Sequence, residues 1–170
     1  LHALIQFFVA LCLLRRAPQD LPASTALLGL VLVADLLAGA LLGAVVNMPP
    51  LLAFAEGVAD LVLSLGFLYL ALLLLDRRAR FVQTATALLG AGAVLGIVAI
   101  LPLSLLPQGP PGEQSPLAGL LFLILIVWSL LVSGHILRHS FDLRLGQGVV
   151  IAVAYNLLAY ILISGIYSQS

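Results

Sequence analysis

Residues 25–46 read TALLGLVLVADLLAGALLGAVV, and after the turn Asn47-Met48-Pro49-Pro50 residues 51–75 read LLAFAEGVADLVLSLGFLYLALLLL, closing on Asp76-Arg77-Arg78-Ala79-Arg80. Each run exceeds the roughly 20 apolar residues that carry an α-helix across about 30 Å of hydrocarbon. Tandem prolines cannot continue a helix, so the two runs are separate spans joined by a tight turn. Pro22 and Ser24 mark the start of the first, with Ser24 as the expected N-cap.

The same grammar repeats along the chain. Residues 82–106 form a third span, with Pro102 in its last turns, a position tolerated in lipid where neighbouring helices re-satisfy the freed carbonyl. Residues 107–116 hold four prolines, two glycines and Glu113. Spans follow at 117–137 and 148–167. Residues 1–14 are too short to cross, reaching about 21 Å as a helix. They are read as an interfacial helix running into Arg15-Arg16, with a truncated sixth span as the other reading. The expected organisation is therefore an N-terminal interfacial helix and lead-in segment, residues 1–23, and a five-span membrane domain, residues 24–170. The expected fold is an all-α polytopic membrane helix bundle.

Composition supports that class, since 63% of the 170 residues are hydrophobic and 8% charged, against about 45–50% and 25% in soluble domains. All seven basic residues are arginines. Arg15 and Arg16, then Arg77, Arg78 and Arg80, then Arg138 and Arg144 fall at alternate boundaries of the spans. Short loops rich in Arg stay on the cytoplasmic side, which puts these three places inside and the 47–50 turn, the 107–116 loop and the C-terminus outside. The arginines are expected to meet anionic headgroups. They are too few for a nucleic-acid face. The absence of lysine and the wealth of Ala, Gly, Leu, Pro and Arg point to a GC-rich bacterial source and hence to a bacterial inner membrane.

Polar residues inside the spans are the candidate site. Asp35 lies near the middle of the first span and Asp60 at a similar depth on the second, with Glu56 one turn from Asp60 on the same helix face. Asn156 falls near mid-depth on the fifth. A carboxylate at the bilayer centre costs about 2.5–3.5 kcal/mol on insertion scales. No Lys or Arg within a span is there to neutralise these acids, so they require protonation, a bound cation, a wet cleft or a cationic group on a partner. Helix-to-helix gluing, recognition of a partner and a proton or cation path all remain open from sequence.

Other patterns carry less. Gly39 with Gly43, Gly92 with Gly96, and Ser129 with Ser133 have the small-residue spacing of close helix packing. Cys12 reads as an apolar filler and Trp128 as a residue packed between helices. His135 and His139 lack a third ligand nearby in sequence, so no metal site is expected. No nucleophile elbow, phosphate loop or cofactor motif is present. A non-enzymatic protein without a cofactor is expected.

Five closely spaced spans after a cytoplasmic start resemble the Yip (Rab/Ypt-interacting protein) family and its bacterial relatives. The likeness is carried by Val127-Trp128-Ser129-Leu130, the short basic turn after it, Gly146-Gln147-Gly148-Val149-Val150-Ile151-Ala152, and the lead-in Leu14 to Ser24. The Asp-Leu-Tyr-Gly-Pro motif of eukaryotic members is absent, so Rab binding is not implied. The resemblance implies a non-enzymatic five-span protein with trafficking, membrane organisation or complex assembly as its themes. The expected function is thus that of a scaffold or accessory subunit whose acidic hairpin engages another membrane protein or itself, with a small proton- or cation-coupled transporter using the same acids as the alternative.

Overall fold

Hydrogen bonding explains why the chain is helical throughout: in hydrocarbon each backbone N–H and C=O must find a partner within the protein, which a helix provides locally. The computed structural model describes residues 2–105 and 116–167. Six helices run α1 (His2–Cys12), α2 (Thr25–Val45), α3 (Pro50–Leu74), α4 (Phe81–Ser104), α5 (Pro116–Phe141) and α6 (Leu145–Tyr167). Helices α2 to α6 are long and apolar enough to cross a membrane, and α1 is a shorter apolar helix. The 107–115 part of the proline-rich loop and residues 168–170 lie outside the described residues.

Local sequence sets where the helices stop. Ser24 caps α2, its Oγ accepting from Leu27 N–H at 3.3 Å. At the other ends, Leu14, Asn47, Asp76 and Asp142 adopt positive φ of 52–61°. In each case the following residue donates its N–H five residues back, as Met48 does to Gly43 O at 2.9 Å and Leu143 to Arg138 O at 2.8 Å. This is the Schellman closure, usually completed by glycine; Asn and Asp tolerate the left-handed region, whereas Leu14 is strained there. Helix α5 runs four residues beyond the expected 137, so Arg138 and His139 occupy its last turn and only residues 142–144 connect it to α6.

Helix α4 is the centre of the bundle. About half of its apolar stretch is buried, against at most 22% for the other four long helices. Small residues make this possible: Ala85, Ala87, Gly90, Ala91 and Ala93 let neighbours approach its backbone. Helix α2 packs chiefly on α4, and α5 packs chiefly on α6. The α2–α3 hairpin is in contact at Gly43, which meets Ala53 near the turn, and at Gly57, which meets Leu36 near the middle of α2. Around this frame, large side chains such as Leu51, Leu74 and Tyr160 point outward, more than 70% exposed. A surface so apolar is a lipid-facing one.

The N-terminal segment is woven into the bundle. Phe8, Leu11 and Cys12 are buried in the main core with Leu89, Ala91, Val132 and Ile136. The Phe8 ring occupies the space a side chain at Gly90 would need. The carbonyls left free beyond α1 are then captured one after another. Trp128 Nε1 donates to Cys12 O at 2.8 Å, His135 Nε2 to Arg16 O at 2.9 Å and Gln83 Nε2 to Leu21 O at 2.7 Å, while in the other direction Gln19 Nε2 of this segment donates to His139 O of α5 at 3.0 Å. Orphan carbonyls at a helix end need such partners, the more so in low dielectric.

Candidate functional site

Between α2, α3, α4, α5 and α6 lies a cavity of about 290 Å³ lined by Asp35, Asp60, Ser64, Phe67, Leu88, Leu89, Ala91, Gly92, Leu95, Ser129, Val132, Ser133, Leu137, Ala152, Tyr155 and Asn156. Each polar member is placed by helix geometry. Asp35 comes from the middle of α2, and its carboxylate rests over Gly92 of α4, where a β-carbon would stand 2.7 Å from Oδ1. One turn further along α4, Gly96 receives Ala38 and Leu42. The Gly92–Gly96 pair is thus an intramolecular seat for α2.

On α3, Glu56, Asp60, Ser64 and Phe67 succeed one another at three- and four-residue steps, so they share one face. Asp60 and Ser64 reach the cavity, while Glu56 stays outside it. Glu56 and Asp60 together face two further clefts, one of about 370 Å³ with Asn156, Tyr160 and Ser164, the other of about 330 Å³ with Gly39, Gly43 and Met48. Asp60 is therefore the one carboxylate common to all three spaces. Asn156 lines the inner cavity and the α6 cleft, its Nδ2 donating to Ala152 O at 2.8 Å.

Towards the arginine end the cavity is closed by side chains. Ser64 Oγ and Tyr155 OH are 2.6 Å apart, and the rings of Phe67 and Tyr155 stack with centroids at 4.8 Å. Below them Leu68, Leu72, Ala85, Leu137, Phe141 and Ala152 form a second buried cluster. Thr84 Oγ1 and Ser140 Oγ lie 2.8 Å apart at the same level.

The arginines gather at one end of the bundle, and two of them are held in ion pairs. Arg77 and Arg80 both bind the Asp142 carboxylate, tying the α3–α4 turn to the α5–α6 turn. Arg80 also donates to His139 O and Ser140 O, both at 3.2 Å. Arg15, Arg16, Arg78 and Arg144 are exposed. Arg138 stands beside His139, with Nη2 and Nε2 3.2 Å apart. The hydrogen bonds from Arg80 first and Arg77 second hold the Asp142 carboxyl below the usual aspartate range. A carboxylate lowered in the folded state contributes stability above its unfolded value, and that contribution is lost as pH falls through the folded one. The clamp is therefore expected to hold at neutral pH and to loosen only below about pH 4. Amide exchange at residues 142–144 checks this, with Asp142→Asn expected to show the loosened turn at every pH. An unchanged acid response in that variant would assign it to another group.

His135 and His139 pack edge to face with ring centroids 4.7 Å apart. Among the described residues no group of three His, Cys, Asp or Glu converges on a metal-sized space. His135 instead spends its ring nitrogen on the N-terminal segment.

Ser64, Phe67 and Tyr155 were not singled out by sequence reasoning. The four-residue step Glu56, Asp60, Ser64 was a visible signal, a polar stripe on an otherwise apolar helix. Tyr155 gave none beyond its place next to Asn156.

Comparison with family models, with curated proteins and with solved structures found no match to this chain. The class is defined by the fold itself: a polytopic membrane protein, an all-α bundle with five long apolar helices and one short one among the described residues. Its distinguishing feature is a cavity set among those helices, in which two carboxyls, three serines, a tyrosine and an asparagine interrupt an otherwise largely apolar wall.

Proposed function

We propose that this is a non-enzymatic protein of a bacterial cytoplasmic membrane that works as a small proton- or cation-coupled transporter, with Asp35 and Asp60 as the charge-binding groups. The observation that supports this is the wall of the inner cavity, where two carboxyls, three serine hydroxyls, a tyrosine and an amide meet and no Lys, Arg or His takes part. Carboxylates in hydrocarbon are costly, so in such a wall the compensating charge comes from a proton or from a cation supplied by the surrounding solution. In proteoliposomes, Asp60→Asn and Asp35→Asn are expected to lower proton or sodium flux at least about tenfold, equivalent to about 1.4 kcal/mol. The chain should still elute as the assembled protein, because an amide matches a neutral acid in shape. Wild-type flux no greater than that of empty vesicles would sink this reading.

A second reading, a scaffold or accessory subunit of a membrane assembly, is favoured by Glu56. It stands outside the inner cavity on clefts between α2, α3 and α6, where a cationic group of another membrane protein or of a second copy has room to approach. The Yip resemblance leans the same way through its theme of complex assembly. In that case Glu56→Gln and Asp60→Asn lose a co-purifying protein in mild detergent, and no flux is present to lose.

The arginine end is assigned to the cytoplasm because short Arg-bearing connections are retained there. In a Cys12→Ser background, Ala79→Cys should react with an impermeant maleimide only after the membrane is opened. Labelling of intact cells at that position would reverse the orientation.

A further inference from the structure

We propose, on the reading of the Asp35–Asp60 cavity as a charge-binding site, that it takes a small organic cation, an ammonium group on a compact apolar body, admitted along the seam between α3 and α6. Size separates this from the simpler occupants. Liquid water takes about 30 Å³ per molecule, so about 290 Å³ is far more than a bare metal ion or a proton uses. The donor set agrees as far as transition metals go, since no group of three His, Cys, Asp or Glu converges among the described residues. Much of the wall is apolar, with Leu88, Leu95 and Val132 facing the same space as the acids. A hydrated inorganic ion gains nothing from those side chains. An organic cation buries its carbons against them.

The aromatic pair supplies the second element of recognition. Phe67 and Tyr155 both line the cavity; their rings stack on each other, so one face of each is covered and a cation meets the remaining face of the pair, and the Ser64 hydroxyl, 2.6 Å from Tyr155 OH, fixes the Tyr155 ring in place. A cation over an aromatic face is attracted by the ring quadrupole, an attraction that strengthens when water is removed and that suits ammonium groups. Phe67 lies two turns from Asp60 on the same face of α3, about 10 Å along the helix. Carboxyls and aromatic wall thus bracket a ligand of a few carbons. Asp60 and Asn156 also border the cleft that holds Glu56, Tyr160 and Ser164, so a cation arriving along the α3–α6 seam meets Glu56 first, then Asp60, and Asp35 last.

The test uses the full chain in mild detergent, with choline as probe and 3,3-dimethylbutanol as its uncharged isostere, followed by calorimetry. Choline is expected to bind saturably and the alcohol not to compete. Asp60→Asn should weaken choline at least tenfold, and Phe67→Leu about tenfold through loss of the cation–π contact. Phe67→Tyr should restore affinity, which separates a ring requirement from damage to the fold, and all variants should match the wild type in size-exclusion profile. Choline affinity unchanged from the wild type in Asp60→Asn or in Phe67→Leu, or competition by the alcohol, overturns the proposal. If choline fails to bind while Asp60-dependent proton or sodium flux persists, the organic cation is wrong and the charge-binding cavity stands. If flux is absent as well, both fall.

Discussion

Gly134→Leu is expected to destabilise the bundle by about 3 kcal/mol or more, the upper end of the range for overpacking a closed interface. A β-carbon at Gly134 would stand 2.8 Å from both the Cα and the N of Val149, and one at Gly148 would run into the Gly134 carbonyl. Side chains yield to such intrusions by changing rotamer, but here the obstacle is the backbone of the facing helix. Helices α5 and α6 are joined by only residues 142–144, so they cannot separate at this end without breaking the turn that Asp142 ties to Arg77 and Arg80. Thermal aggregation in mild detergent should fall by about 10 °C, using the usual relation for a chain of this size. Gly66→Leu is the control, since nothing lies within 4 Å of that position. Equal melting of the two variants would mean that α5 and α6 do not touch at Gly134.

Gly92→Leu is expected to leave the bundle assembled while removing its charge-binding capacity. The missing side chain at residue 92 is what lets the Asp35 carboxylate rest against α4, and a β-carbon there would lie 2.7 Å from Oδ1. A leucine has somewhere to go, because Gly92 borders the cavity of about 290 Å³; it fills that space and displaces the carboxylate. The loss of stability should therefore be smaller than for Gly134→Leu, and the loss of flux at least about tenfold, or about 1.4 kcal/mol. Gly96→Ala is the comparison, since its β-carbon would meet only Ala38 at 3.3 Å and Leu42 at 3.5 Å. It should cost some packing and little transport. Flux preserved in Gly92→Leu would show that Asp35 is not on the path.

The pair of glycines at 134 and 148 illustrates how unevenly the sequence speaks. In the sequence they are two of fifteen, and Gly148 stood out as the first residue of the expected fifth span. The Gly92–Gly96 spacing was legible, yet nothing in it distinguished a seat for α2 from a face for a second copy. The polar stripe on α3 was likewise visible as spacing, but not that Glu56 would lie outside the cavity its neighbour Asp60 enters.

What the residues by themselves determined is the class: five stretches long and apolar enough to span, stopped by prolines and arginines, with acids too costly to face lipid. Backbone hydrogen bonding is local in a helix, so each stretch could be read without its neighbours. Which helix lies at the centre, which face of each turns inward and how α1 is held were decided only in three dimensions. In water a helix advertises its buried face by one apolar stripe. In hydrocarbon both faces are apolar and association follows shape instead, through small residues and shared hydrogen bonds. The placement of α4, the Trp128 bond to Cys12 O and the union of Asp35 with Tyr155 around one cavity are matters of fit between side chains far apart in the chain, and hydropathy holds no record of them.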